Sequence, residues 1–299
     1  MRQSAIGGIS FAGLSRLATR ELPHLVSGLA IEAAWATTHL VMYPLGLLSA
    51  PTRVTTEHRR HTLSGLSPEQ RGLLHYDVEA AATPILLVHG FIDNHAIFTV
   101  MERALRRRGF QTLSAYDYGL LTHQIPSAAV RLGETIEKLA TKSGYERIHV
   151  IGHSLGGLMA RYYVQRLGGD SYVRTLVTLG TPHHGTQLAW IAPLLPPVRH
   201  LTPRSPVIQE LAEPAPDCRT RFIAFHSDID PLIVPSSNAR LEHPDLNARN
   251  IAVRGVGHLS MPHNGRIAFT IAEALRQLDH DGATAPVKTL SPDKIRTGH

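Results

Sequence analysis

Short, continuously apolar runs alternate with longer segments of helical periodicity along most of this chain. An apolar run of strand length is typical of a strand buried on both faces, whereas apolar residues spaced three and four apart indicate an amphipathic helix. The apolar runs predict strands at residues 84–89, 110–116, 147–152, 173–179, 221–226 and 250–254. The periodic segments predict helices at residues 96–108, 127–142, 155–167 and 266–278.

This regular alternation of strand and helix predicts the α/β class, with a mostly parallel central sheet covered by helices on both faces. In sheets of this kind the active site lies outside the carboxyl ends of the strands. Candidate catalytic residues are therefore expected in the loops that follow the strands.

The chain divides into three predicted regions. Residues 1–60 read as an apolar helical arm that contains several arginines, and residues 61–280 read as the α/β domain. Residues 281–299 begin with a Gly- and Pro-containing stretch and are polar, which is typical of a flexible tail.

The arm contains a mostly apolar stretch, residues 22–50, which is interrupted by Glu32 and Pro44. A carboxylate in the middle of such a stretch makes insertion into a bilayer costly. Arginines flank the stretch on both sides, and apolar surface beside cationic side chains suits attachment to anionic lipid. Three interpretations stay open: an arm packed on the domain, an anchor at or in a membrane, and a cleaved signal.

Lys and Arg outnumber Asp and Glu by 30 to 24, a formal net charge of +6. The longest basic run is Arg106 to Arg108, without interleaved aromatic residues, so the charge favours solubility and surface adhesion over nucleic-acid binding. Cys218 is the only cysteine, so no intramolecular disulfide can form, and no catalytic motif surrounds it. A membrane-associated or cytoplasmic location is favoured over secretion.

The clearest motif is Gly-His-Ser-Leu-Gly-Gly at residues 152–157, between an apolar run and a helical segment. The pattern G-x-S-x-G between a strand and a helix is typical of a nucleophile elbow, a sharp turn that holds the serine in a strained conformation. Small flanking residues are needed because a side chain there would collide with the neighbouring strand or helix. The motif predicts Ser154 as a catalytic nucleophile.

The stretch VIGHSLGGLMARYYVQRLGGD, followed by TLVTLGTPHHGT, resembles bacterial lipases and esterases of the α/β-hydrolase superfamily. It is most similar to the compact triacylglycerol lipases of bacilli and actinobacteria, and the resemblance covers roughly residues 80–280. It implies an α/β-hydrolase fold with a small cap segment, a serine hydrolase mechanism and no cofactor.

A serine hydroxyl needs a base within hydrogen-bond reach, and in this fold an acid and then a histidine follow the serine along the chain. His258 lies in a Gly-Val-Gly-His-Leu loop between the last apolar run and the last helix, which is similar to the histidine loop of these lipases; His263 is the nearby competitor. Asp230, followed by Pro and aliphatic residues, matches the acid loop of the family better than Asp228 does. Asp230 is favoured as the acid, with Asp228 kept as the alternative.

Two backbone N–H groups are expected to stabilise the oxyanion. Leu155, the residue after the nucleophile, supplies one of them. His89-Gly90-Phe91 resembles the family's His-Gly element, whose following residue, Phe91, supplies the other. His89 is expected to support this loop and not to take part in the chemistry.

Residues 181–186, Thr-Pro-His-His-Gly-Thr, contain paired histidines but lack a third ligand at metal-binding spacing, so a loop-shaping role is favoured and no metal is predicted. The apolar, Pro-rich segment that follows, residues 189–198, suggests an acyl-binding cap, with ordinary packing as the alternative. Trp190, Ile191 and Leu194 are its candidate pocket residues.

The sequence thus predicts a hydrolase of carboxylic esters, with an ester or lipid as substrate, a membrane surface as a possible partner, and neither cofactor nor nucleic acid. Thioesterase, amide hydrolase and acyltransferase activities use the same catalytic residues and remain alternatives. A non-catalytic binding module is the remaining alternative, although such modules usually lack one of the catalytic residues that are all present here.

Overall fold

The computed structural model of the chain describes residues 82–91, 93–118, 124–191 and 199–276, with residues 190 and 191 described by their backbone alone. The predicted arm, the predicted tail and Leu194 lie outside these residues. All the structural statements below concern the described residues.

A parallel six-stranded sheet forms the centre of the molecule. Its strands are β1 (Ile85–Val88), β2 (Leu113–Tyr116), β3 (Ile148–His153), β4 (Val173–Leu179), β5 (Arg221–Ser227) and β6 (Asn247–Val253), in the order β2-β1-β3-β4-β5-β6. The chain moves outward from β1 to β2 and then crosses back to β3 on the other side of β1. The carboxyl ends of β1 and β3 therefore flank the point at which the strand order reverses, where sheets of this type bind ligands.

Five α-helices are described: α1 (Thr99–Arg107), α2 (Ile125–Ser143), α3 (Leu155–Arg166), α4 (Pro206–Glu210) and α5 (Gly265–Arg276). One apolar cluster packs α2 and α3 against one face of the sheet, and a second cluster packs α1 and α5 against the other. All four residues of β1 are fully buried, so side chains on both of its faces are covered, as its continuous apolar run predicts. The predicted α/β fold with helices on both faces is confirmed.

Element boundaries differ from the prediction where local hydrogen bonds end a helix or strand. The strand predicted from residue 110 begins only at Leu113, because Phe110 belongs to the turn that ends α1, where its N–H donates to the Leu105 carbonyl at 3.2 Å. The helix predicted over residues 96–108 begins with a 3₁₀ turn, His95–Phe98, capped by the Asn94 side chain. The five-residue helix α4 was too short to leave a periodic signal.

In the described ranges, no helix combines the length and the apolar character that crossing a bilayer requires. The proposed membrane association of residues 22–50 concerns a segment outside those ranges.

His149 on β3 is fully buried near the amino ends of the strands, and neither of its ring nitrogens has a hydrogen-bond partner within the described part of the chain. Burial, followed by the positive charges of Arg221, Arg174 and Arg147, lowers the pKa of His149 to about 3. As the pH falls below 6.5, His149 takes up a proton in the unfolded chain but not in the folded chain. The free energy of unfolding therefore decreases progressively as the pH falls from 6.5 toward 3.

We expect His149→Gln to remove this part of the acid sensitivity. Between pH 6.5 and about 4, the free energy of unfolding of the wild type should fall by about 3 kcal/mol relative to the variant, since one pKa unit corresponds to ~1.4 kcal/mol. Urea unfolding at a series of pH values measures the difference. His243→Gln, in a partly exposed loop, is the control, and a wild-type curve parallel to that of His149→Gln would contradict the expectation.

Candidate active site

Ser154 lies in a turn between the end of β3 and the start of α3, at the reversal point of the strand order. Its backbone has φ 51° and ψ −121°, a conformation that residues other than glycine rarely adopt. The turn is held by the Ser154 N–H, which donates to the Leu179 carbonyl at 2.9 Å, and by the Thr181 hydroxyl, which donates to the Ser154 carbonyl at 3.0 Å. The strain is thus maintained by the sheet and by the loop after β4.

The glycines around Ser154 allow helix α3 to start directly against the sheet. A Cβ atom on Gly156 would collide with the backbone carbonyls of Val88 and His89 at the end of β1, and one on Gly152 would collide with the backbone of Gly157. The spacing of small residues in the motif therefore follows from the close approach of strand and helix.

His258 and Asp230 form a buried pair near this turn. The His258 Nδ1 atom lies 2.7 Å from Asp230 Oδ2, and the two side chains are 3% and 0% exposed. A carboxylate can only accept, so His258 carries its proton on Nδ1 and its lone pair on Nε2. A neutral imidazole in this tautomer can act as a base.

Two backbone donors fix the Asp230 carboxylate. Its Oδ1 atom accepts hydrogen bonds from the N–H groups of Leu232 at 2.9 Å and Ile233 at 3.2 Å, which leaves Oδ2 directed at His258. Burial by itself would raise the pKa of Asp230, but His258 and the two N–H groups outweigh burial and lower it. Asp230 therefore stays ionised beside the imidazole at neutral pH.

Asp228, the alternative acid, shapes a turn. Its Oδ1 atom accepts a hydrogen bond from the Gly255 N–H at 3.2 Å, which joins the end of β5 to the loop that carries His258. His263, the alternative histidine, lies in the 3₁₀ helix Met261–His263 beyond that loop. Of the two predicted acids, Asp230 is the one that contacts His258.

The two predicted oxyanion donors belong to two loops, one directly after Ser154 and one after β1. Leu155 is the first residue of α3, where backbone N–H groups lack an intrahelical acceptor and the helix dipole favours negative charge. Phe91 follows β1 in a loop that His89 supports. The His89 ring stacks on the Tyr118 ring, with 4.3 Å between the ring centres, and His89 Nδ1 donates to the Gly90 carbonyl at 2.8 Å. His89 thus contacts the loop backbone, as a supporting residue does.

The loop of residues 181–186 is held by a buried arginine that the sequence analysis did not single out. Arg161 on α3 is 2% exposed and donates to the carbonyls of His183 and Leu211, each at 2.9 Å. The Nε2 atom of His183 lies 2.9 Å from the Thr178 hydroxyl. These contacts give His183 a loop-shaping role, and no group of metal-binding side chains occurs in the ranges described.

The predicted acyl pocket is described only in part. Trp190 and Ile191 belong to the 3₁₀ helix Gln187–Ile191, which follows this loop, while Leu194 lies outside the described residues. The preceding loop is joined to the residues after Asp230, since the Thr186 hydroxyl donates to the Leu232 carbonyl and accepts from the Val234 N–H, both at 3.0 Å.

Gly180, at the end of β4, is a second residue that the sequence analysis missed. It has φ 53°, and a Cβ atom there would lie 3.1 Å from His258 Nδ1 and 3.2 Å from Asp230 Oδ2. The buried His–Asp pair thus rests against this glycine. Its place in the Leu-Gly-Thr-Pro stretch, directly after a strand, was the available signal.

Comparisons with known proteins agree with this fold. A family model described as "alpha/beta hydrolase fold" matches residues 83–197. A triacylglycerol lipase of Pseudarthrobacter phenanthrenivorans is 26% identical over 117 residues, which are 37% of this chain and 36% of the lipase. A triacylglycerol lipase of Pseudomonas fragi is 29% identical over 111 residues, 36% of each chain. The matched region is thus about a third of the length of these relatives.

Solved structures extend the likeness beyond the matched sequence. The mature Bacillus licheniformis lipase BlEst2 has a TM-score of 0.50 and 19% identity, covering 66% of this chain and 93% of the lipase. Aspergillus fumigatus lipase B has a TM-score of 0.56 and 15% identity, covering 80% of this chain and 65% of the lipase. At such identities the likeness concerns the fold. The sheet and the matched family model together show that the chain has the α/β-hydrolase fold, and part of the chain is similar to triacylglycerol lipases.

Proposed function

We propose that this protein hydrolyses carboxylic esters, with fatty-acyl esters as the substrate class. Ser154 is the nucleophile, His258 the base and Asp230 the acid that orients it, while the N–H groups of Phe91 and Leu155 form the oxyanion hole. The observation that carries this proposal is the combination of a strained serine at the reversal point of the sheet with a buried His–Asp pair beside it.

In the acylation step, the Ser154 hydroxyl attacks the ester carbonyl and its proton passes to His258 Nε2. The Asp230 carboxylate holds the Nδ1 proton and stabilises the imidazolium that forms. The carbonyl oxygen becomes an oxyanion, which the Phe91 and Leu155 N–H groups stabilise at the amino end of α3. The C–O bond then breaks, and the alcohol leaves with the proton from His258.

In the deacylation step, a water molecule gives a proton to His258 Nε2 and attacks the acyl-enzyme. The second tetrahedral intermediate collapses, the carboxylic acid is released, and Ser154 recovers its proton. The proton that Ser154 recovers comes from the water through His258 and replaces the one that left with the alcohol, so the cycle balances with ester and water alone. The buried position of His258 and Asp230 suits this role, because charge interactions are stronger away from water.

Two observations support acyl esters as substrates. The sequence relatives carry the name triacylglycerol lipase. In the loop directly after Asp230, the side chains of Leu232 and Val234 are 43% and 39% exposed, which is apolar surface at the catalytic edge of the sheet. Trp190, Ile191 and Leu194 are the further residues that we propose to contact the acyl chain.

We expect a fluorophosphonate probe to label the wild-type protein at one site and glycerol and aryl esters of fatty acids to be hydrolysed. A chain-length series of both ester types, compared with acyl-CoA thioesters and aryl amides at equal chain length, measures kcat/KM for each class. We expect the esters to give the highest values. The alternative activities use the same catalytic residues and differ in the leaving group, so this comparison separates them. Labelling with a preference for thioesters or amides would move the protein to those classes, and no labelling would contradict a serine hydrolase.

A further inference from the structure

A second buried His–Asp pair lies beside the proposed catalytic pair. His153, which precedes the nucleophile, and Asp93, which follows β1, have side chains only 1% and 3% exposed. His153 Nδ1 lies 3.4 Å from Asp93 Oδ2. Neither residue takes part in the proton transfers proposed above, although both lie at the catalytic edge of the sheet.

His153 also contacts the loop that carries the proposed base. Its Nε2 atom lies 3.1 Å from the backbone carbonyl oxygen of His258, and the two rings lie 4.8 Å apart at an angle of 50°. A carbonyl only accepts, so His153 carries a proton on Nε2 and donates it to His258 O. Because the ring of His153 is held by strand β3, this hydrogen bond ties the His258 loop to the rigid sheet.

Asp93 lies against the same ring, next to the proposed oxyanion loop. Three atoms surround Gly90: a Cβ atom added to it would lie 3.1 Å from Asp93 Oδ2, from His153 Nδ1 and from Ser154 Cβ. The Asp93–His153 pair therefore lies directly behind the serine, where the loop after β1, the nucleophile turn and the His258 loop meet. Burial lowers the pKa of His153, although Asp93 acts to raise it, so the ring is neutral at neutral pH with its proton on Nε2.

We propose that His153 is a positioning residue for the reaction: through its Nε2–H bond to the His258 backbone it fixes the proposed base. The proposal rests on the proposed function. A base that shifts relative to Ser154 loses proton-transfer efficiency, and misplacement by about 1 Å can cost about 10²-fold in rate. His153 contributes geometry and touches neither substrate nor a reacting atom.

The test compares two substitutions at one position. His153→Leu removes the donor, whereas His153→Gln keeps a side-chain N–H that can reach the His258 carbonyl. We expect kcat for an alkyl ester to fall about 10²-fold in His153→Leu at nearly unchanged KM, and to stay within about threefold of wild type in His153→Gln. His149→Gln is the matched control, since it places the same substitution at another buried histidine of the same strand.

The leaving group separates positioning from a general loss of folded protein. An alkoxide leaving group needs the proton from His258, whereas p-nitrophenolate leaves without it. His153→Leu should therefore lose at least tenfold more activity on the alkyl ester than on the p-nitrophenyl ester. Three results would each overturn the proposal. They are equal losses of activity on both esters, equal losses in the two variants, and an alkyl-ester kcat within about threefold of wild type in His153→Leu.

A readout that needs no substrate distinguishes failure of this inference from failure of the proposed function. The Nδ1 proton shared by His258 and Asp230 should give a far-downfield proton NMR resonance that disappears in His258→Gln. We expect this resonance to persist in His153→Gln and to shift or broaden in His153→Leu. If the resonance changes in this way while the wild type hydrolyses no ester, the proposed function fails and the positioning role stands. If the resonance is unchanged in His153→Leu, the positioning role is overturned. Should His153→Leu not fold, His153→Phe, which also lacks the donor, takes its place, and a folded His153→Phe with an unchanged resonance overturns the proposal.

Discussion

Replacing Ser154 with alanine is expected to lower ester hydrolysis by about 10⁶-fold, the typical cost of removing the nucleophile of a catalytic triad. In the proposed mechanism this hydroxyl is the attacking group, and Ser154 lies in the turn between β3 and α3, at the edge of the sheet where His258 and Asp230 pair. Initial rates with an aryl ester, normalised to folded protein by circular dichroism, measure the effect. Residual activity above a hundredth of wild type would show that another group is the nucleophile.

Ser154→Gly serves as the matched control for backbone strain. Ser154 has φ 51°, a conformation that glycine adopts readily and alanine does not. The glycine variant should therefore be more stable than the alanine variant by roughly 1 kcal/mol, and both should be equally inactive. Thermal unfolding of the two variants separates the stability effect from the chemical one.

Replacing Asp230 with asparagine is expected to lower kcat by about 10⁴-fold. An amide can donate a hydrogen bond to His258 Nδ1, which would leave the proton on Nε2 and remove the lone pair that accepts the serine proton. In this orientation the amide oxygen still accepts from the Leu232 and Ile233 N–H groups, so we expect the fold to be kept, which thermal unfolding of the variant checks.

Asp228→Asn is the control for this second prediction, because it makes the same substitution two residues away in the same loop. Its Oδ1 atom can still accept from the Gly255 N–H, and we expect kcat to stay within about tenfold of wild type. If Asp228→Asn proved the more damaging of the two, the acid would be Asp228 and the pairing with His258 would have to change in the catalytic state.

Much of the fold could be predicted from local patterns. The continuous apolar runs match strands because strands buried on both faces have no polar side, and β4 was predicted with its observed bounds, Val173–Leu179. The predicted start of a strand was wrong where the turn before the strand is also apolar. Phe110 is fully buried and therefore looks like part of β2, yet it belongs to the turn that ends α1.

The candidate site could be predicted only where a motif is contiguous. Ser154 and its flanking glycines occupy six consecutive residues, so their spacing reports a local strand–turn–helix geometry. Asp230 and Asp228 could not be separated with certainty, because both lie in a loop after a strand and their sequence surroundings differ little. The choice depends on which carboxylate meets an imidazole 28 residues further along the chain.

The sequence by itself determined the class of fold, the elbow around Ser154 and a short set of candidate partners, because each of these depends on neighbours along the chain. Only the tertiary structure decided that Asp230 contacts His258, that Gly180 makes room for this pair, and that His153 contacts the His258 backbone 105 residues away. Such contacts arise where the carboxyl ends of parallel strands converge at one edge of the sheet. Their geometry depends on strand order and loop path, which periodicity and motif spacing do not encode.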